Sequence, residues 1–214
     1  MDLAITDDTV PLTSRGESTR ERIVQSAAWV LAAKGYSGTT LTDIADRARI
    51  KTGSLYYYFE SREVLIREIM TRGITETQAY VKAAVAMLPP AASSRDRLAA
   101  AIAAHVRYML TENDISRASI RTLGQAPLEV QGPAIELHRD YGRYLAELIE
   151  NVQADGYLPP QTDSRVLRLL MVGAANWTSA WYDPAGSASV EQIAETLVQM
   201  ALGELAGPGP DGPR

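Results

Sequence analysis

Along most of the chain apolar residues recur three and four positions apart, and runs of alternating β-branched residues are missing. That period predicts an all-α protein, because only a helix gathers such positions onto one face. Ser18 with Glu21 reads as a capping box opening a first helix whose inner face is Ile23, Ala27, Val30 and Leu31, and Gly35 stops it. Thr40 and Asp43 open a short second helix with Ile44, Ala45 and Ala48 inside. A brief turn at Ile50–Lys51 leads to a third, about Thr52 to Tyr58. Ser61 caps a long fourth helix through Val64, Leu65, Ile69 and Met70 as far as Met87, where Pro89–Pro90 ends it. Ser93 and Asp96 open a fifth, to about Leu110, and a short sixth follows near Ile115–Leu123. Pro127 to Pro133 reads as irregular, before a helix from about Ala134 to Ala154. Two more, about Asp163–Trp181 and Ser189–Leu205, complete about nine helices. Residues 1–14 and 207–214 lack apolar periodicity and read as disordered tails.

Composition narrows the function classes. A chain of 214 residues with 46% hydrophobic and 22% charged residues can bury a core of its own. It has no cysteine, and its two histidines, His105 and His138, lie far apart, so neither a disulfide framework nor a metal site is expected. No stretch is apolar enough to span a membrane and the N-terminus lacks an apolar signal core, which predicts a cytoplasmic protein. The net charge is −5, but it is unevenly spread: residues 15–72 hold ten basic and seven acidic residues, leaving eleven and nineteen for the rest. A locally basic module on an acidic body suits a nucleic-acid reader with a second function. Motifs of serine hydrolases, zinc proteases and phosphate-binding loops are absent, and Glu147–Glu150 looks like a solvated face, so no enzyme and no cofactor are expected.

Two short helices joined by a tight turn and braced by a longer one form the helix-turn-helix plan. The second of the pair must present small and polar residues where it enters the major groove, and Lys51, Thr52, Gly53 and Ser54 do so. Three tyrosines and a phenylalanine follow and cannot all point inward. Tyr56 and Tyr57 are expected outside, where a phenol can bond phosphate or touch a thymine methyl, and Leu55, Phe59 and part of Tyr58 inside. Thr42 and Arg62 are placed for phosphate contacts, and Thr40 and Tyr58 complete the candidate set. The block from Thr40 to Leu65, with Ile44–Ala45, then Gly53-Ser54-Leu55-Tyr56-Tyr57-Tyr58-Phe59 and Arg62, resembles the TetR family of repressors. Tyr58 stands where histidine is common in that pattern, and Arg62 where lysine is commoner. The resemblance implies a DNA-binding domain over 15–62 and an effector-binding and dimerisation domain over 63–206. It also implies a homodimer on a palindromic operator in double-stranded DNA, released by a small molecule.

The body supports this in part. Val166–Trp181 is apolar on nearly every side, as for a helix covered on two faces. Its own core can cover one face, and a partner chain the other, with Leu169, Leu170, Gly173, Ala174, Trp177 and Trp181 as contacts and Ile193 and Leu197 from the last helix. The stretch Asn176 to Gly186 is similar to the C-terminal signature of a subgroup that senses acyl-CoA thioesters, which implies a hydrophobic or CoA-linked effector; Trp177, Trp181 and Tyr182 serve equally as dimer anchors. Candidate effector residues are His105, Tyr108, Met109, Ile120, Leu123, His138, Tyr141 and Trp177, with Arg139 and Arg143 near for an anionic head group. The alternative is a DNA-binding dimer with no small-molecule effector, architectural or regulated by a partner.

Overall fold

A computed structural model describes residues 14–111 and 114–204, and among them there are nine helices and no strand. They are α1 (Ser14–Gly38), α2 (Leu41–Ala48), α3 (Thr52–Leu55), α4 (Arg62–Ala86), α5 (Ser94–Leu110), α6 (Asp114–Thr122), α7 (Leu128–Ala154), α8 (Ser164–Trp181) and α9 (Val190–Leu202). The tails expected over 1–14 and 207–214 lie outside the described residues, except that Ser14 begins α1. None of the described helices is long and apolar enough to cross a membrane.

Most helix starts are written locally. The Thr40 hydroxyl accepts from the Asp43 N–H while the Asp43 carboxylate accepts from the Thr40 N–H, so two unpaired donors at the start of α2 are satisfied. Ser93 with Asp96 and Ser189 with Gln192 repeat the device on α5 and α9, and Ser61 and Asp163 cap α4 and α8. The first helix is the exception. Ser18 lies inside α1, not at its cap, because Glu21 turns away to Arg72 on α4 and to Gln25, and the helix runs a turn further back. Gly35, at φ +70°, breaks α1 where expected. Leu128–Gln131, expected to be irregular, makes a helical turn before Gly132 at φ +38° bends the chain into the long run from Pro133.

Two cores divide the fold, and α4 belongs to both. Its first half, Leu65, Ile66, Ile69 and Met70, packs with Ile23, Val24, Ala27 and Leu31 of α1, Ile44 and Ala48 of α2, Leu55 and Phe59. Its second half, Ile74, Val81 and Val85, packs with Leu98 and Ile102 of α5, Leu145 and Ile149 of α7, Met171 and Ala175 of α8 and Leu197 of α9. Between them α6 is held against both α1 and α4. Gly73 makes this possible, since a Cβ there would lie 2.5 Å from the Ser119 Cβ and 2.9 Å from the Ile115 carbonyl oxygen. The Ser119 hydroxyl then donates to the Met70 carbonyl at 2.9 Å, and Arg121 donates to the Ala32 carbonyl of α1 at 3.0 Å.

Candidate nucleic-acid interface and effector cavity

The turn between α2 and α3 is built on Arg49, which adopts a left-handed conformation at φ 55° and donates back to Ala45 and Asp46. Arg22 of α1 fixes the same corner by donating to the Ala48 carbonyl at 3.1 Å. The α3 segment is thereby presented with Lys51, Gly53 and Ser54 exposed and Thr52 half-buried. Regular helix ends at Leu55, and the tyrosines occupy a hydrogen-bonded turn in which Tyr58 and Phe59 N–H groups donate to the Leu55 carbonyl. Leu55 and Phe59 are buried, whereas Tyr56 and Tyr57 are 59% and 77% exposed. Tyr58 packs partly on the core and sets its ring edge-on to Tyr57 at 5.3 Å. Thr40 and Thr42 lie exposed on the same module, Thr40 with its hydroxyl bound to Asp43.

Arg62 is engaged within its own module. Its Nε donates to the Thr39 carbonyl at 3.0 Å, a terminal nitrogen donates to the Tyr36 carbonyl, and its guanidinium lies over the Tyr36 ring at 4.4 Å. The side chain clamps the end of α1 to the start of α4, with its remaining terminal nitrogen 3.4 Å from Glu63.

The chemistry of the body centres on His105. Buried at 4% exposure, its ring stacks on Tyr141 at 5.8 Å between centroids and is hydrogen-bonded at both nitrogens: Nδ1 accepts from the Tyr141 hydroxyl at 2.7 Å and Nε2 donates to Asn176 Oδ1 at 3.0 Å. Burial holds the His105 pKa below its usual 6.5 despite the opposing Asn176 bond, which favours the neutral imidazole and with it this pattern of donors and acceptors. Burial also lowers His138, to about 4, with a smaller contribution from His105, and Tyr141 is raised by burial. These groups ring a cavity of about 30 Å³ shared with Met109, Ile120, Ser116, Ser119 and Thr77. It has room for a water molecule and no more. The hydroxyls of Thr77 and Ser116 lie 3.1 Å apart, so the cavity is polar on its α4–α6 side. No cluster of three or more histidine, aspartate or glutamate residues suited to a metal occurs among the described residues.

Of the eight effector candidates, His105, Met109, Ile120, His138 and Tyr141 meet at this cavity. Tyr108 does not: one turn beyond His105 it is half-buried, with its ring tilted against Tyr80 at 4.8 Å, and donates to Glu76 at 3.1 Å. Leu123 lines an outer groove of about 630 Å³ against α7 and α8, and Trp177 lines two others, one of about 650 Å³ against α1 and α6 and one of about 330 Å³ against α9. Asn176, Thr77, Ser116 and Ser119 were not singled out from sequence. Each is a polar residue on an inward helical face, which is the signal that marks them.

The α8 face is bare. Leu169, Leu170, Trp177 and Trp181 are more than half exposed, Leu170 at 68% and Trp177 at 69%, and a Cβ at Gly173 would meet nothing within 4 Å. Ala174 is exposed with them, and Ile193 and Leu197 form the adjoining wall on α9, Leu197 largely buried within its own chain. An apolar surface of this kind rarely stays open to water.

Residues 23–69 match the family described as "Bacterial regulatory proteins, tetR family", and residues 91–205 match "Tetracyclin repressor-like, C-terminal domain". The HTH-type transcriptional repressor KstR2 of Mycolicibacterium smegmatis is 26% identical over 202 residues, covering 90% of this chain and 93% of that protein. In fold the chain is similar to AibR in complex with isovaleryl coenzyme A and operator DNA, with a TM-score of 0.77 at 23% identity over 85% of this chain and 97% of that one. It is equally similar to the ketosteroid transcriptional regulator KstR2 of Mycobacterium tuberculosis, with a TM-score of 0.76 at 21% identity over 90% and 97%. With both halves matched in order, the C-terminal match alone covering more than half its length, the chain belongs to the TetR family of DNA-binding transcriptional regulators.

Proposed function

We propose that the protein is a homodimeric repressor working in the cytoplasm, released from a palindromic operator by a hydrophobic, acyl-CoA-like effector. The observation that carries the DNA half is the outward pair Tyr56 and Tyr57 beside Lys51, Thr52, Gly53 and Ser54, on a module whose own core is complete beneath them. Solvated phenols next to small residues and a lysine suit contact with phosphates and base edges, and Thr42 and Thr40 lie on the same module. In this reading residues 15–62 read DNA, and 63–206 bind effector and partner, with α4 as the common strut. The two recognition segments of a dimer would address half-sites roughly 34–36 Å apart, or a multiple of that.

The effector half draws support from the buried His105–Tyr141–Asn176 chain, in which burial favours the neutral imidazole as a binding group. The similarity to a regulator solved with isovaleryl coenzyme A and operator DNA favours an acyl-CoA-like ligand. The cavity volume of about 30 Å³ favours a second reading, a dimer with no small-molecule effector, since ligand pockets usually exceed about 300 Å³. Under the first reading this closed cavity belongs to the DNA-bound state and ligand selects an opened one, which requires unequal affinity for the two. Fluorescence anisotropy on an operator selected from random duplexes, with and without a series of acyl-CoAs, decides between them. Release by one chain-length class is expected. Operator affinity indifferent to every thioester would leave the second reading.

A further inference from the structure

The outer groove between α7 and α8, of about 630 Å³, is walled by Arg139, Arg143, Arg165 and Arg168, with Glu150 as its acidic residue. Arg139 pairs with Glu136 and Arg143 with Asp140, each three residues back on the same helix and well exposed, so both pairs are weak and easily redirected. Arg165 and Arg168 make no ion pair among the described residues. The floor is specific. Gly142 is buried in the middle of α7, where glycine costs roughly 1 kcal/mol against alanine. A Cβ there would lie 2.9 Å from an Nη and 3.4 Å from the Cζ of Arg168. The missing side chain leaves room for the end of the Arg168 guanidinium against α7. At the inner end stands His138, which lines both this groove and the cavity at His105, and whose Nε2 is buried without a hydrogen-bond partner. The groove against α1 and α6 is less basic, with two arginines against four, and one of them, Arg121, is committed to the Ala32 carbonyl.

We propose that the α7–α8 groove is the anion-binding mouth of the effector site: Arg165 and Arg168, with Arg139 and Arg143 redirected, hold a phosphate- or carboxylate-bearing head group, and the ligand's apolar part passes His138 towards the buried cavity. The inference rests on the effector-sensing reading and adds to it the polarity of the ligand and the direction from which it enters. Planar guanidinium forks in a groove suit oxyanions, and several converging on one head group reinforce each other. Burial holds His138 neutral, so at the threshold it can accept or donate a single hydrogen bond without repelling an apolar chain.

The test is calorimetric titration of the intact dimer with octanoyl-CoA, coenzyme A and octanoate, on the wild type, on R165A/R168A and on G142A, with circular dichroism and melting temperature to verify folding. Octanoyl-CoA is expected to bind the wild type, with affinity falling as salt rises, and the double variant is expected to lose about tenfold or more. G142A, which keeps every arginine but crowds the end of Arg168, is expected to weaken binding in the same sense by a smaller factor, and R168K to retain only part of the wild-type affinity. Coenzyme A binding lost in the double variant identifies a phosphate head, and octanoate binding lost there identifies a carboxylate. Ligand affinity unchanged in the folded double variant, or no binding of any of the three to the wild type, overturns the proposal. The two readings fail separately. Octanoyl-CoA that releases operator from wild type and double variant at equal concentration sinks the arginine mouth and leaves the sensor standing. Octanoyl-CoA bound through the arginines with no effect on operator does the reverse.

Discussion

At the scale of single residues, Tyr57 is the most exposed of the aromatic cluster and Phe59, two positions on, is buried. The difference is geometric: the turn after Leu55 rotates the two side chains to opposite sides of a short segment. Tyr57→Ala therefore removes a contact surface and no core, and operator affinity is expected to drop about tenfold with the melting temperature held within about 2 °C, read by anisotropy and calorimetry together. Unchanged affinity would mean that the segment faces the groove differently. The two histidines give a pH prediction. Both have native pKa values below the usual 6.5, His138 at about 4, so between those pH values the unfolded chain takes up protons that the native chain refuses. Stability is then full above about pH 6.5 and declines as pH falls, by at most about 1.4 kcal/mol per unit for each histidine. With only two histidines in the chain, their ring-proton NMR signals can be followed singly. A His138 signal titrating near pH 6.5 would contradict its burial. Such residue-level features differed in legibility. The split between Tyr57 and Phe59 follows from helical geometry, but the role of Arg62 does not, because its acceptors, Tyr36 and Thr39, are backbone groups 26 and 23 residues away whose proximity no local pattern encodes.

At the scale of elements, what the sequence specifies best is where helices begin. Thr40, Ser61, Ser93 and Ser189 each cap the helix expected of them, since a cap needs only residues within one turn. The start of α1 was misplaced because Glu21 has a better partner, Arg72, on a helix 51 residues on. The sixth helix illustrates the same limit more sharply. Its short apolar pattern announces a helix, but nothing local says that it lies wedged between α1 and α4 with Ser116 and Ser119 turned into the body. That placement depends on Gly73, whose need is apparent only once the two helices are seen to touch. Gly73→Ala is expected to force α6 off α4 at a cost of about 1–3 kcal/mol, in spite of the better helix propensity of alanine. Urea denaturation measures it. A neutral or stabilised variant would show that α6 adjusts freely, and with it the contacts from Arg121 to Ala32 and from Gln125 to the Tyr36 N–H that tie the cavity's wall to the DNA-binding module.

At the scale of the whole molecule the unanswered surface is the α8 face. Val166, Leu169, Leu170, Trp177 and Trp181 stand at least half exposed along a single helix. The face continues across the apolar wall of α9, where Met200 is 55% exposed. None of the described residues covers it, and a two-fold related copy would bury it against itself. Gly173 offers a discriminating probe because a Cβ there meets no atom of the described residues within 4 Å. Replacing it with leucine should leave the monomer intact or raise its helix propensity by several tenths of a kcal/mol. Any loss must then arise between chains, where the added bulk pushes two α8 helices apart. Gly173→Leu is expected to shift the sedimentation profile at micromolar concentration from dimer to monomer while circular dichroism stays helical. Operator affinity should fall with it, by about a hundredfold or more, since a half-site bound alone forgoes the effective concentration of its linked neighbour. A half-site oligonucleotide should be bound equally by variant and parent, which separates lost assembly from a damaged reading head. A fully dimeric Gly173→Leu protein would move the interface away from this stretch of α8 and leave the row of exposed leucines and tryptophans needing some other cover.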